Sequence, residues 1–223
     1  VRGNSTLGST LNGTVTIGTG DASGAFATPG TLNVLNGGNF VVEDTPANPA
    51  IASMLIGRMA GGTGTLLVSG AGSHVGVAGS FTVGEKLSTD PVPAAHGSGD
   101  ATVTDGASLG AVRVRVGNGT VTASAGGQLG SSNGTLGLAV GNVGSLTITG
   151  PTSAWTITGP IAPGDSRNYF LVGRSGTGTL DVIGGGQLVV DSGPNLGPAG
   201  VIGRFAGSVG TINVSGIGSR IEI

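Results

Sequence analysis

LVGRSGTGTLDVIGGGQLVV, residues Leu171 to Val190, contains the pattern on which the rest of the chain is built. Leu171 and Val172 close against Gly173, Leu180 and Val182 alternate with Thr179 and Asp181, and Leu188 and Val190 alternate with Gln187 and Val189. Alternation with period two sends every second side chain to one face, so each run predicts a short strand with one buried side. Glycines between the runs supply the backbone freedom that a sharp corner needs. Three strands and three corners form a unit with too little core to stand alone, so it must stack on its neighbours.

The pattern recurs along the chain. A hydrophobe followed by glycine anchors seven repeats, at Ile17-Gly18, Ile56-Gly57, Val83-Gly84, Val116-Gly117, Val140-Gly141, Val172-Gly173 and Ile202-Gly203. Their glycines lie 24 to 39 residues apart, as expected for loop insertions on a fixed unit. After each anchor comes a second strand: GTLNV at 30–34, GTLLV at 64–68, DATVT at 100–104, GTVTA at 119–123, GSLTI at 144–148, GTLDV at 178–182 and GTINV at 210–214. Thr, Val, Leu and Ile in alternation favour strand over helix.

A third strand follows in two versions. One reads GGNFVV (37–42), DGASL (105–109), AGGQL (125–129) and GGGQLVV (184–190); the other reads SGAGSHV (69–75), TGPTSAW (149–155) and SGIGSRI (215–221). Asn-Gly pairs at Asn12, Asn36, Asn118 and Asn133 predict tight turns. Proline-bearing stretches at 43–49, 86–96 and 160–168 are expected to leave the wall as loops, because proline lacks the N–H that a central strand needs.

Composition agrees with stacking. Glycine is 48 of 223 residues, far above the ~7% of ordinary proteins, but it has no three-residue period, which excludes collagen. Hydrophobic residues at 37% can fill a core, and with 9% charged residues and a net charge of −2 the sequence shows no electrostatic footprint for nucleic acid or anionic lipid. Cysteine is absent, which excludes disulfides and thiolate metal sites, and no apolar run approaches a membrane span. The expected fold is all-β, a right-handed parallel β-helix (β-solenoid) of about seven laps with loop insertions, its handedness taken from the general preference for right-handed crossovers. Seven laps at the strand spacing make a rod on the order of 35 Å tall. Residues 1–223 form a single segment, expected to be a fragment of a longer or polymerising protein.

The aligned units resemble the repeat shared by bacterial autotransporter passenger regions and PEP-CTERM-associated exoproteins. VGRSGTGTLDVIGGGQL at 172–188 and IGRMAGGTGTLLVSGAGSHV at 56–75 are similar to its two modules, and TGPTSAW carries Trp155 at the aromatic position. His74 and Arg220 are read as occupying that position in their own repeats. The resemblance implies a right-handed β-helix outside a bacterial cell and carries over no catalytic residues.

The residues themselves leave three functional classes open. A non-enzymatic stalk, fibre subunit or matrix adhesin is the first reading, with self-association or continuation of the same chain at both ends, extracellular polysaccharide as a further partner, and no cofactor, nucleic acid or membrane span. A polysaccharide-degrading β-helix would need clustered acids. Asp181 with Asp191, and Asp165 with Arg167, are the local candidates, read as outward or turn residues. The third class is a glycan-binding module without turnover. His74 and His96 have no acidic or histidine neighbour at ligand spacing, and Asp21, Asp100 and Asp105 fit turn chemistry better than a calcium site. No catalytic, cofactor or metal residue is therefore expected. GTGT and GAGS segments superficially suggest phosphate loops, but no helix follows them. Arg58, Arg174 and Arg204 each follow an anchor glycine, and stacking brings the last two to one edge. They are read as solvated or bonded to loop carbonyls, with contact to a small anionic glycan as the functional alternative.

Overall fold

The computed structural model describes residues 6–7, 13–21, 26–44, 52–85, 96–158, 169–191 and 200–223. The architecture is all-β, a mostly parallel sheet that goes nearly round an axis in a solenoid-like manner. Among the described residues no helix is long and apolar enough to cross a membrane.

Three sets of parallel strands run through the molecule. The second-strand set is the most regular: Ala27–Leu35, Thr63–Ser69, Ser98–Thr104, Gly119–Ser124, Val143–Thr149, Thr177–Ile183 and Val209–Ser215 pair in that order. Val34, Val68, Val103, Ala123, Ile148 and Val182 form one inward row, each fully buried. Thr31, Thr65, Asp100, Thr120, Ser145, Thr179 and Thr211 form an outward row in the same register. The inner faces meet in a single core of Val, Leu, Ile and Phe with Trp155 among them.

The register corrects the reading of DATVT. Gly99, not Asp100, stands opposite Gly64 and Gly119, so the stretch that matches the other repeats is GDATV at 99–103. A one-residue slip would have turned Ala101 and Val103 to solvent, and burying them decides the register. The same position is glycine in all seven strands: Gly30, Gly64, Gly99, Gly119, Gly144, Gly178 and Gly210. At Gly99 a Cβ would run into the carbonyl of Ile56, and at Gly144 into that of Val116. The corner from anchor strand to second strand is thus closed by backbone against backbone, which no side chain permits.

The anchor set also differs in one place. Ile17, Ile56, Val83, Val116, Leu136, Val172 and Ile202 pair in succession, so Leu136-Gly137 is the fifth anchor rather than Val140-Gly141. Gly137 has φ 64°, Leu136 is buried, and Val140 lies in a turn, 83% exposed. In three repeats the third strand and the next anchor strand are one continuous element, His74–Val83, Ser108–Val116 and Gln128–Leu136. Elsewhere residues 45–51, 159–168 and 192–199 intervene at that junction, which accounts for much of the uneven spacing. Those stretches and 86–95 lie outside the described residues, which cover the expected proline loops only at their margins. The margins are tied together: Asp44 Oδ1 accepts from the Ala52 amide at 2.7 Å, and His96 Nδ1 meets Glu85 Oε1 at 3.3 Å. Among the described residues one antiparallel pairing, Thr19 with Thr28 and Gly20 with Ala27, interrupts the parallel scheme.

In the third-strand set, Phe40, Val75, Leu109, Leu129, Trp155, Leu188 and Ile221 share one inward row. Val75 and Ile221 therefore stand at the position of Trp155, while His74 and Arg220 align with Ala154 on the outer face. Trp155 is fully buried, and its Nε1 donates to Ser131 Oγ at 2.9 Å. The Asn133-Gly134 pair, expected as a turn, is instead part of a buried strand. Gly134 faces Trp155, and a Cβ there would overlap the indole.

The two versions of the third-strand corner have complementary hydrogen-bonding roles. The first turns through Asn36-Gly37, Asp105-Gly106, Ala125-Gly126 or Gly184-Gly185, all at positive φ. Gly37, Gly126 and Gly185 each donate their amide to a serine hydroxyl of the next corner, Ser73, Ser153 and Ser219, at 2.9 to 3.0 Å. Ser73 and Ser219 in turn donate to the carbonyls of Ser69 and Ser215 at 2.7 Å. Where two corners of the first version are neighbours, Gly106 N donates to the carbonyl of Ala125 at 3.1 Å instead.

Candidate functional site: an arginine cleft on the anchor wall

In SLGAVRVRV, residues 108–116, alternation buries Val114 and Val116 and turns Arg113 and Arg115 outward. The row containing Arg115 runs Leu55, Thr82, Arg115, Thr135, Leu171. Leu55, Thr82, Thr135 and Leu171 are all buried although they lie on the outer face. Arg115 is therefore a guanidinium set among covered neighbours. Burial pushes it below the ordinary arginine value; Arg113 and Arg174 act in the same direction, and Glu85 and Tyr169 oppose them.

Arg113, Arg115, Arg174 and Arg204 line one cleft of about 260 Å³, together with Tyr169 and Leu138. Tyr169 stands opposite Asn133, which in turn stands opposite Arg113, so strand register places the phenol beside the arginines. Arg174 and Arg204 follow the glycines of successive anchors, and their backbones are linked: Arg204 N donates to Gly173 O at 2.9 Å, and Phe205 N to Arg174 O at 3.2 Å. The Arg204 guanidinium lies 5.1 Å from the Phe205 ring centroid. Arg58, the third member of the sequence pattern, is not in this cleft; it pairs in register with Thr19, near the other end of the stack.

Other candidate residues disperse. Asp181 sits on the outer face of its strand and accepts from Asn213 Nδ2 at 2.7 Å; Asp191 is exposed just beyond Gln187–Val190, on another wall. Asp165 and Arg167 lie outside the described residues. Asp100 accepts from Thr120 Oγ1, and Asp105 from Ser69 Oγ at 2.7 Å, so both tie neighbouring repeats together. His74 Nδ1 is 2.9 Å from Ser108 Oγ, and burial lowers its pKa below 6.5. His96 does have an acidic neighbour, Glu85, brought to it across the intervening loop. Among the described residues no group of three or more His, Asp or Glu side chains is arranged to hold a metal ion.

Arg113, Arg115 and Tyr169 are not singled out by the repeat pattern, although the VRVRV alternation carries a signal for the two arginines. Comparison with known proteins adds no name to this geometry: no family model, no curated protein and no solved structure matches the chain.

Proposed function

We propose that this chain is a non-enzymatic structural or adhesive stretch of a bacterial extracellular or cell-surface protein. In this reading it is a right-handed parallel β-helix of about seven laps, a rigid stalk, fibre subunit or matrix adhesin of the autotransporter and PEP-CTERM-associated kind. The observation that carries the reading is the inward valine row. It is fully buried from Val34 to Val182, yet Val214, the next member, is 49% exposed. Ile202, Phe205, Val209, Ile217 and Ile223 are exposed around it. An open strand edge beside uncovered apolar side chains is a template for another strand of the same kind. The covering partner in this reading is a further repeat stacked on Val209–Ser215.

Sedimentation and electron microscopy of the purified chain test it. Concentration-dependent rods, abolished by Val214→Lys, are expected. A monomer at high concentration whose last strands are already protected from amide exchange would overturn the continuing stack. A polysaccharide-binding or polysaccharide-degrading module is the alternative. The arginine cleft favours its binding form, and acidic polysaccharide turnover that disappears on replacing Asp181 or Asp191 would establish its enzymatic form.

A further inference from the structure

We propose that the cleft formed by Arg113, Arg115, Arg174 and Arg204 is a binding site for the acidic groups of a polysaccharide, sulfate or carboxylate, with Tyr169 beside the sugar. The inference stands apart from the scaffold role, because the cleft is on the wall of the stack and needs no covered end.

The chain has only nine Lys and Arg residues in 223, and four of the arginines converge here from three separate strand regions. Like charges held together cost energy, and burial of one of them raises that cost. Of the groups that act on Arg115, the Glu85 carboxylate favours its charged form, while the Arg113 and Arg174 guanidiniums oppose it. Guanidinium is the side chain best suited to such a place, since its planar fork matches carboxylate and sulfate oxygens with paired N–H donors.

Shape narrows the ligand class. A cleft of about 260 Å³ is below the range for a whole drug-sized molecule. It accommodates one charged unit of a longer chain that continues across the surface. A nucleic acid would require a basic stripe along its phosphates, whereas this positive charge is confined to one cleft on a protein with a net charge of −2. Tyr169 offers an amphipathic ring beside the guanidiniums, suited to packing on the C–H face of a pyranose while its hydroxyl remains a hydrogen-bonding group.

Titration calorimetry of the intact chain tests the site with a heparin-derived tetrasaccharide, tetragalacturonate, neutral maltotetraose, inorganic sulfate and a short DNA duplex. We expect one or both acidic tetrasaccharides to bind, about tenfold or more weaker to Arg115→Gln/Arg174→Gln and unchanged by Arg220→Gln, an exposed arginine on the third-strand wall. Raising sodium chloride from about 50 to about 300 mM should weaken binding, since the Debye length shortens over that range. Binding of the heparin fragment alone assigns a sulfated polymer, and of tetragalacturonate alone a uronic one. Binding of neither, equal binding by the double variant, retention of sulfate but of neither tetrasaccharide, or equal affinity for DNA would each overturn the proposal. If the double variant fails to fold, Arg204→Gln at its exposed position serves instead; unchanged affinity there refutes the site, and a several-fold loss supports it.

Discussion

Gly134 and Trp155 should behave as a single packing decision, and a double-mutant cycle can measure it. The indole is fully buried against Gly134, with its N–H bonded to Ser131. A methyl at residue 134 forces the ring, the strand or both to move, an overpacking cost of about 1–3 kcal/mol. Replacing Trp155 by leucine, the residue in register at 129 and 188, loses part of the burial free energy of a side chain that covers roughly 150–250 Å². At about 25 cal/mol per Å² the whole tryptophan is worth roughly 4–6 kcal/mol, of which leucine recovers about half; we expect Trp155→Leu to cost about 2–3 kcal/mol. In Trp155→Leu the methyl of Gly134→Ala has space, so the two changes together should cost about 1–2 kcal/mol less than their sum. Trp155 is the only tryptophan, which makes its fluorescence the natural probe for the parent and Gly134→Ala, with far-UV circular dichroism for the variants that lack it. Strictly additive effects in urea denaturation, within about 0.3 kcal/mol, would refute the claim that glycine at 134 exists to seat the indole.

Three further outcomes follow from the geometry. Ser153→Ala should cost about 1–2 kcal/mol by leaving the Gly126 amide without its acceptor, whereas Ser145→Ala on the outer face should stay within about 0.5 kcal/mol; thermal denaturation of both variants decides. Gly99→Ala should lower stability by more than about 2 kcal/mol or abolish folding, because its methyl meets the Ile56 carbonyl across the corner, and a folded variant with parental stability would contradict the register. His74 has a folded pKa below 6.5, so above 6.5 it is neutral in both states and its contribution is fully present. As pH falls through 6.5 the unfolded chain takes up the proton first, and that stability is progressively lost. Comparing urea midpoints at pH 7.5 and 5.5 should show a smaller fall in His74→Gln than in the parent.

Much of the architecture is legible because a stacked sheet repeats its inward rows. Leu180 and Val182 look like Leu146 and Ile148 since each sits on the other in the same core. Local pattern fails where two choices satisfy it. Val140-Gly141 and Leu136-Gly137 are both hydrophobe-glycine pairs, and only pairing with Val116 and Val172 selects the second. Asn133-Gly134 has the residues of a tight turn, but its neighbours on both sides are strands and Trp155 needs the space. For the cleft, the alternation in VRVRV shows that Arg113 and Arg115 face outward. Their meeting with Arg174 and Arg204 depends on which repeats are neighbours, and the misplaced fifth anchor obscures that. Glu85 and His96 meet across an insertion whose length follows no spacing rule.

The serine hydroxyls at residues 73, 153 and 219 impose a parity on how such a molecule can grow. Duplicating or deleting two consecutive units with unlike corners preserves the match between amide donor and hydroxyl acceptor. Away from the neighbouring Asp105 and Ala125 corners, a change by one unit places like against like, and two corners without the serine must fall back on a main-chain acceptor, as Gly106 does with Ala125. Length variants of this protein should therefore differ by even numbers of units more often than odd, an odd step either adding a pair of like corners or removing the pair at Asp105 and Ala125.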